Sequence, residues 1–166
     1  MDPAEGRQDG VELGKGEPHV WTRNDCRIST DRATLDVATI HRFLQGSYWA
    51  RNIPHAAVER SIRNSLCFGM YEGDAQVGFA RVVTDRATFA YLADVFVLDE
   101  HRGRGLGKWL IECVLEHPDL QGLRRFSLAT QDAHGLYQRF GFQTPAHPER
   151  LMEIVRTDAY SEGSAR

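Results

Sequence analysis

Apolar positions in the first half of the chain repeat with a helical period. Between residues 35 and 44, apolar side chains recur on one face at helical spacing, and Gly46 ends the pattern. A second helix begins near Pro54, which suits a first helical turn, and its apolar positions repeat every four residues. A short strand over residues 26–29 precedes both helices. The segment between the helices has no clean period.

Beyond the second helix the period of the apolar positions changes to two, which is typical of β-strands. Residues 66–71 and 76–84 flank a turn that contains Gly73, and this arrangement predicts a β-hairpin. A longer strand over residues 89–98 follows. The middle of the chain is therefore predicted to form a strand meander.

Helices and strands alternate in the second half of the chain. An apolar stripe that begins at Leu106 predicts a helix closed by His117 and Pro118. A strand over residues 125–130, a short helix over residues 133–140 and a last strand near residues 152–156 complete the order. This order predicts a mixed α/β fold with one sheet.

Length and composition fit a single domain. The chain has 166 residues, of which 42% are hydrophobic and 26% charged, and its net charge is −3. One compact domain is the default at this length. Glycine, proline and polar residues dominate both ends. We therefore predict a flexible tail over residues 1–18, a domain over residues 19–158 and a second tail over residues 159–166.

Several classes of protein are disfavoured by the same composition. No window approaches the roughly 18 consecutive apolar residues of a membrane span, and the first residues lack the apolar core of a signal peptide. Three widely spaced cysteines argue against a disulfide framework, so a cytoplasmic location is expected. The near-neutral charge predicts no nucleic-acid binding. No His/Cys pattern has metal-ligand spacing, so no metal is expected.

A glycine-rich run over residues 102–107 stands between the long strand and the helix that begins at Leu106. Such a junction binds phosphate groups, because free backbone amides converge there and glycine permits close approach. Arg102, Arg104 and Lys108 add positive charge. A Walker A loop would need glycine at position 102, and the dinucleotide fingerprint would need it at position 108, so neither motif fits. A basic turn that merely caps a helix is the structural alternative.

Two motifs in this order resemble the GNAT superfamily of N-acyltransferases. The run R-G-R-G-L-G over residues 102–107 fits [QR]-x-x-G-x-[GA], and A-H-G-L-Y-Q-R-F-G-F over residues 133–142 looks like the family's A-x-x-L-Y-x-x-x-G-F helix. The resemblance implies a mixed, mostly antiparallel sheet of six to seven strands with about four flanking helices. It also implies that the fourth and fifth strands splay apart.

The resemblance implies an acyl-CoA site in that splay, with acetyl-CoA as the acyl donor. The pantetheine arm would bind the fourth strand, and the pyrophosphate would bind the amides of the glycine run. Many members carry an asparagine that helps to hold the cofactor at the position of Thr130, and the resemblance implies that the Thr130 hydroxyl would do part of that work. The implied binding residues are Val95, Phe96, Val97, Arg102, Gly103, Arg104, Gly105, Leu106, Gly107, Lys108, Thr130 and Ala133.

Candidate catalytic groups follow from the chemistry of acyl transfer from a thioester to an amine. Tyr137 occupies the family's position for the acid that protonates the departing thiolate, and its alternative is a core tyrosine. Asp94 is a carboxylate within an apolar strand, so it is a candidate base or substrate anchor. The alternative for Asp94 is a structural ion pair with an arginine such as Arg81. His134 is the other candidate base.

Residues between the first two helices are candidates for the acceptor pocket, which the resemblance places there. Aromatic faces beside a carboxylate suit an ammonium group, and a packed loop is the alternative. Phe79 and Phe96 are candidate pocket walls, although both also suit a core. The candidate acceptor-binding residues are Tyr48, Trp49, Arg51, Phe79, Asp94 and His134.

The motifs together predict an acetyl-CoA-dependent N-acetyltransferase that transfers the acetyl group directly in a ternary complex. The acceptor is a primary amine of a small molecule or a peptide, and a homodimer is compatible with the resemblance. Two other functions stay open at this point. One is a CoA-binding regulatory or sensor module without turnover, and the other is nucleotide binding through the glycine run.

Overall fold

The structure is a computed structural model that describes residues 17–161, so most of both predicted tails lies outside the described residues. None of the helices in this range is long and apolar enough to cross a membrane. Residues 17–161 contain six strands and four α-helices, in the order β1 (Val20–Arg23), β2 (Cys26–Ser29), α1 (Val37–Gly46), α2 (His55–Arg63), β3 (Leu66–Glu72), β4 (Ala75–Thr84), β5 (Phe89–Val97), α3 (Leu106–Glu116), β6 (Arg125–Leu128) and α4 (His134–Gln138).

The strands form one sheet in their sequence order, β1 to β6. Every neighbouring pair is antiparallel except β5 and β6, which are parallel because α3 crosses over between them. Tight turns join β1 to β2 and β3 to β4, where Asn24 and Gly73 have positive φ, whereas α1 and α2 lie between β2 and β3. The predicted fold class, a mostly antiparallel mixed sheet with four flanking helices, is confirmed.

Helices cover both faces of the sheet and bury a separate apolar cluster on each. On one face α3 packs Leu110 and Val114 against inward residues of the central strands such as Phe68. On the other face α1 and α2 pack Ile40 and Val58 against Phe79 and other residues of the sheet. The helical periodicity predicted from the sequence therefore corresponds to the buried stripes.

A bulge in β5 changes which side chains face each cluster. The pairing of β4 with β5 shifts register by one residue around Asp94, which adopts a left-handed φ of 53°. We call the apolar cluster under α3 the α3 cluster. Before the bulge Leu92 faces this cluster, and after the bulge Val95 and Val97 contact it. Phe96 faces the α1 and α2 cluster instead. One extra residue thus reverses the alternation along the end of β5.

β5 and β6 separate where the bulge in β5 begins. Their parallel ladder ends at the pair Leu92 and Leu128, whereas β5 continues to Val97. In the described part of the chain, residues 93–97 therefore have a strand partner on the β4 side alone. We call the space beside these residues the strand opening. The strand opening lies between β5 and β6. These two are the fourth and fifth of the strands predicted from the sequence, because β1 was not among the predicted strands.

The predicted elements agree with the structure except at the ends of the chain. Helix α1 begins at Val37 because Asp36 caps it, with Asp36 Oδ1 accepting from the Thr39 amide at 3.0 Å. Strand β1 was missed because it is short and largely exposed. The predicted strand over residues 152–156 is wrong, since this segment is in no helix or strand of the described chain. Among residues 17–161, no strand pairs with it.

The cysteines lie inside the fold as free thiols. Cys26, Cys67 and Cys113 are all buried. Burial raises the pKa of the Cys67 thiol and that of the Cys113 thiol to about 12 each, so both are protonated at neutral pH. All three behave as small apolar side chains of the core.

The approach of β4 to β5 predicts the effect of a change at Gly78. An added Cβ would lie 2.9 Å from the Phe96 carbonyl oxygen and 3.3 Å from Met70 Cβ. We expect Gly78→Ala to lower the free energy of unfolding by about 1–3 kcal/mol, measured by urea denaturation. Gly46→Ala is the matched control, because its Cβ meets nothing within 4 Å at the end of α1. Equal stability of the two variants would contradict this account of the packing.

Candidate active site

The end of β5 presents backbone amides to the strand opening. The Leu98 amide donates to the Val77 carbonyl at 2.8 Å, so it points toward β4. Because N–H groups alternate in direction along a strand, the amides of Val97 and Val95 point away from β4. The Val97 carbonyl, on that same side, accepts from Arg102 Nε at 3.0 Å. The opening is thus bordered by backbone groups that pair with no strand in the described chain.

The glycine run directly follows the opening and leads into α3. Gly103 and Gly105 both have φ of +77°, a conformation that strains any side-chain-bearing residue. The first backbone bond of α3 runs from the Trp109 amide to the Gly105 carbonyl at 3.1 Å. The amides of residues 106–108 therefore lie ahead of the helical ladder, where the helix dipole favours an anion. This is the geometry that the sequence predicted for a phosphate site.

The arginines of this loop are held by carboxylates and a carbonyl of the protein. Arg104 binds Glu72 through two nitrogens, at 2.7 and 3.2 Å, and Arg102 forms an ion pair with Asp99 at 3.0 Å. His101 also contacts Glu72, at 2.9 Å. The hydrogen bond from Arg104 lowers the pKa of the Glu72 carboxyl, with His101 contributing. Within residues 17–161, Lys108 forms no ion pair or hydrogen bond, so its ammonium is available to a ligand.

Tyr137 lies on α4 with its ring against the α3 cluster and against Phe142, at a centroid distance of 5.9 Å. Its hydroxyl has no hydrogen-bond partner among the described residues. Burial, with smaller contributions from Tyr48 and Asp132, raises the pKa of Tyr137 to about 12. The phenol is therefore protonated at neutral pH and has its proton available for donation.

Asp94 is held by two side chains. Arg81 Nε donates to Asp94 Oδ2 at 2.7 Å, and Trp49 Nε1 donates to Oδ1 at 3.2 Å. Arg81 continues the network to Ser65 Oγ at 3.2 Å. The Asp94 carboxylate is 9% exposed, so this pair is nearly enclosed. The ion pair with Arg81 that the sequence offered as an alternative is present, and Oδ1 accepts a single hydrogen bond within residues 17–161, so one of its lone pairs is unused.

Tyr48 and Trp49 bridge the two sides of the strand opening. Trp49 binds Asp94 on β5, while Tyr48 Oη accepts from the Gln131 amide at 3.0 Å in the loop after β6. The two rings meet edge to face at a centroid distance of 4.9 Å. They are 50% and 43% exposed, so both present aromatic surface to solvent beside Asp94. The irregular segment after α1 therefore forms one wall of the opening.

The other predicted residues lie at different depths. Thr130 Oγ1 accepts from the Ala133 amide at 3.1 Å, in the turn that precedes α4. His134 is exposed near Tyr137, and Arg51 is exposed without an ion pair in the described part of the chain. Phe79 is fully buried between β4 and the helices, which agrees with the core alternative rather than with a pocket wall.

Some residues of the site were not found from the sequence. Glu72 carried no signal, because the arginine that it binds lies 32 residues away. Phe43 stacks on Phe96 at a centroid distance of 3.9 Å, and the apolar stripe of α1 contained the signal that could have found it. Gln131 acts through its backbone amide, so its side chain gave no indication.

A family model described as an acetyltransferase (GNAT) domain matches residues 63–144, the range that holds β5, the glycine run and α4. A protein of Gibberella zeae that is provisionally named an acetyltransferase is 38% identical over 144 residues. The match spans 73% of this chain and 80% of the relative.

Solved structures show the same likeness. A protein of Xanthomonas campestris pv. campestris, provisionally assigned to the GNAT acetyltransferases, is 56% identical with a TM-score of 0.80, and the match covers 88% of this chain and 99% of that one. The glucosamine-6-phosphate N-acetyltransferase of Arabidopsis thaliana, 14% identical, has a TM-score of 0.58 over 80% of this chain and 99% of its own. The latter likeness is one of fold alone. Given relatives this similar over four fifths or more of their length, the chain belongs to the GNAT family of acetyltransferases.

Proposed function

We propose that the protein transfers an acetyl group from acetyl-CoA to a primary amine while both substrates are bound. The strand opening is the observation that carries this proposal. It leaves residues 93–97 of β5 without a partner on one side, directly ahead of a glycine loop that favours an anion. An extended amide-bearing arm ending in a pyrophosphate matches both features, and the pantetheine arm of acetyl-CoA has this chemistry.

Backbone groups make most of the proposed donor contacts. The amides of Val95 and Val97 bind the thioester end, and those of residues 103–107 bind the pyrophosphate. Lys108 supplies the cation that pairs with the pyrophosphate, since Arg102 and Arg104 are engaged by Asp99 and Glu72. In this proposal Arg102 and Arg104 stabilise the conformation of the loop and do not contact the pyrophosphate.

The proposed reaction is a single acyl transfer. The amine nitrogen forms a bond to the thioester carbon, and the Val95 amide stabilises the negative charge on the carbonyl oxygen. The bond between carbon and sulfur breaks, and the thiolate takes the proton of the Tyr137 hydroxyl. Water takes one proton from the bound ammonium group before the attack and a second proton from the nitrogen after the bond has formed, and solvent returns one proton to Tyr137. The products are an amide and CoA with a free thiol.

The acceptor amine is proposed to bind between the aromatic bridge and Asp94. Tyr48 and Trp49 present partly exposed rings, whose faces attract an ammonium group. Asp94 Oδ1 accepts a hydrogen bond from the amine in addition to that from Trp49. Asp94 is therefore assigned the role of anchor, and a small-molecule or peptide amine is the acceptor class.

The function is tested by combining binding and turnover. We expect the protein to bind acetyl-CoA in calorimetry and to release thiol with at least one member of a panel of primary amines. Gly105→Glu is expected to abolish binding, because it places a carboxylate in the phosphate loop. Gly122→Glu is the matched control, because Gly122 has a similar φ of +70° away from the loop. Binding without turnover on any amine would instead indicate a regulatory CoA module.

Tyr137→Phe tests the general acid. Removing one hydroxyl leaves the ring packing against Phe142, so the fold and the affinity for acetyl-CoA are expected to stay unchanged. We expect kcat to fall by roughly 10- to 100-fold. This loss is at or below the smallest rate factors that a general acid usually contributes, because a thiolate is a good leaving group even without protonation. An unchanged kcat would mean that Tyr137 is not the general acid and only packs in the core.

The pH profile gives a second readout for the same residue. Because burial raises the pKa of Tyr137 to about 12, its proton is retained through the alkaline range. We expect kcat at saturating substrates to show no decline up to about pH 10. A descending limb near pH 8–9 that disappears in Tyr137→Phe would contradict the raised pKa, whereas a limb that persists in Tyr137→Phe would belong to another group.

Asp94→Asn separates an anchor from a base. Asparagine tolerates the left-handed backbone at this position, so the bulge is expected to persist. Loss of a charged hydrogen bond predicts a rise of roughly 10- to 100-fold in the KM for the amine, with the affinity for acetyl-CoA unchanged. Trp49→Phe serves as control for the Trp49 hydrogen bond alone. A lower kcat with an unchanged KM would mean that Asp94 acts as the base.

A further inference from the structure

The glycine loop, residues 102–107, is not fixed by packing around its two left-handed glycines. A Cβ added at Gly103 or at Gly105 would meet no atom within 4 Å beyond its chain neighbours in the described structure, so both glycines border open space. Both have φ of +77°, one of many conformations that glycine adopts with similar ease. Such a segment keeps a single conformation only when other contacts hold it, because ordering it costs conformational entropy.

Side-chain contacts hold the loop instead. Arg102 is paired with Asp99, three residues before it in the sequence. Arg104 binds Glu72 through two nitrogens, at 2.7 and 3.2 Å, and His101 binds the same carboxylate at 2.9 Å. Glu72 lies 32 residues from Arg104 along the chain. Of these contacts, those to Glu72 are the ones that tie the loop to a distant part of the chain.

Glu72 is itself firmly placed, on the side of the loop away from the strand opening. It is the last residue of β3, where it pairs with Cys26 of β2 and with Ala75 of β4. The sheet order is β3, β4, β5 and β6, and the strand opening lies between β5 and β6. The bonds to Glu72 therefore direct the Arg104 guanidinium toward β3, away from the space where the donor is proposed to bind.

We propose that Glu72 is a positioning residue for the donor, which holds the glycine loop in the conformation whose amides bind the pyrophosphate. This inference rests on the proposed function for its ligand, although Glu72 touches neither the donor nor the reacting atoms. A single ion pair on the surface contributes little to stability, whereas Glu72 combines a two-nitrogen arginine contact with a histidine in one network. The loop is therefore ordered before the donor arrives, and less free energy is lost on binding.

The negative charge of Glu72 makes the proposal easy to distinguish from a purely electrostatic one. A carboxylate near an anion site repels the anion, and removing it would also release Arg104 to bind phosphate. Electrostatics alone therefore predicts that CoA binds more tightly after Glu72→Gln. Loss of a preordered loop predicts weaker binding, because residues 103–107 must then be ordered when CoA binds. The sign of the change in affinity separates the two accounts.

Calorimetry with CoA and steady-state kinetics measure this sign. We expect Glu72→Gln to raise the Kd for CoA and the KM for acetyl-CoA by roughly 10-fold, with kcat at saturating acetyl-CoA unchanged. Glu112→Gln is the matched control, because it removes the carboxylate of an exposed ion pair, with Arg23, on the same helix α3. The control is expected to leave both constants unchanged. An unchanged or lower Kd in Glu72→Gln would overturn the proposal.

A double-mutant cycle tests whether Arg104 acts through Glu72. Either single substitution, Glu72→Gln or Arg104→Gln, already breaks the contact between the two side chains. We therefore expect the double variant to bind CoA no more weakly than the weaker of the two single variants. Losses that add in the double variant would show that Arg104 contacts the pyrophosphate itself, and would overturn the proposal.

The order of the loop is measured without any ligand. Backbone NMR relaxation of the free protein reports the fast motion of residues 103–107. We expect their order parameters to fall from about 0.85 in the wild type to below about 0.6 in Glu72→Gln, while those of α3 beyond the loop stay unchanged. Equal order in the two proteins would overturn the proposal. If the wild type binds no CoA, the proposed function fails, and the order of the loop alone supports or overturns the role of Glu72.

Discussion

The bulge at Asp94 is the constraint on which the arrangement of the site depends. One extra residue in β5 bends the strand and reverses its alternation, so that Val95 and Val97 stay on the α3 face while Phe96 turns to α1 and α2. A left-handed non-glycine residue is unfavourable by itself. The ion pair with Arg81 and the hydrogen bond from Trp49 stabilise it, and β5 leaves β6 at this point.

In the glycine loop, the side chains fix the conformation and the backbone amides face the proposed ligand. Glu72 at the end of β3 holds Arg104 and His101, and Asp99 holds Arg102, so the basic side chains define the shape of the loop. The backbone amides at the start of α3 then face outward without rearrangement. A site whose dipoles are already oriented loses little free energy in ordering when its ligand binds.

Local signals in the sequence predicted the elements of the site, and long-range pairing explains what they missed. Three of these signals, the glycine run, the apolar stripe of α3 and the motif of the Tyr137 helix, are each contained within about ten consecutive residues. Such short patterns can be recognised in the sequence without knowledge of the fold. The contact between Tyr48 and Gln131 joins positions 83 residues apart, and the bulge at Asp94 depends on its neighbour strand. The segment over residues 152–156 has the composition of a strand but pairs with no strand of residues 17–161, because pairing is a tertiary property.

The burial of the three cysteines has a consequence for the redox chemistry around the protein. A protein thiolate that is accessible attacks the disulfide of oxidised CoA, forms a mixed disulfide with one half and releases the other half as a thiol. Cys26, Cys67 and Cys113 lie within the core, and two of them have a pKa raised to about 12. The three thiols are therefore shielded in the folded chain, and S-thiolation by a disulfide such as that of oxidised CoA would first require unfolding.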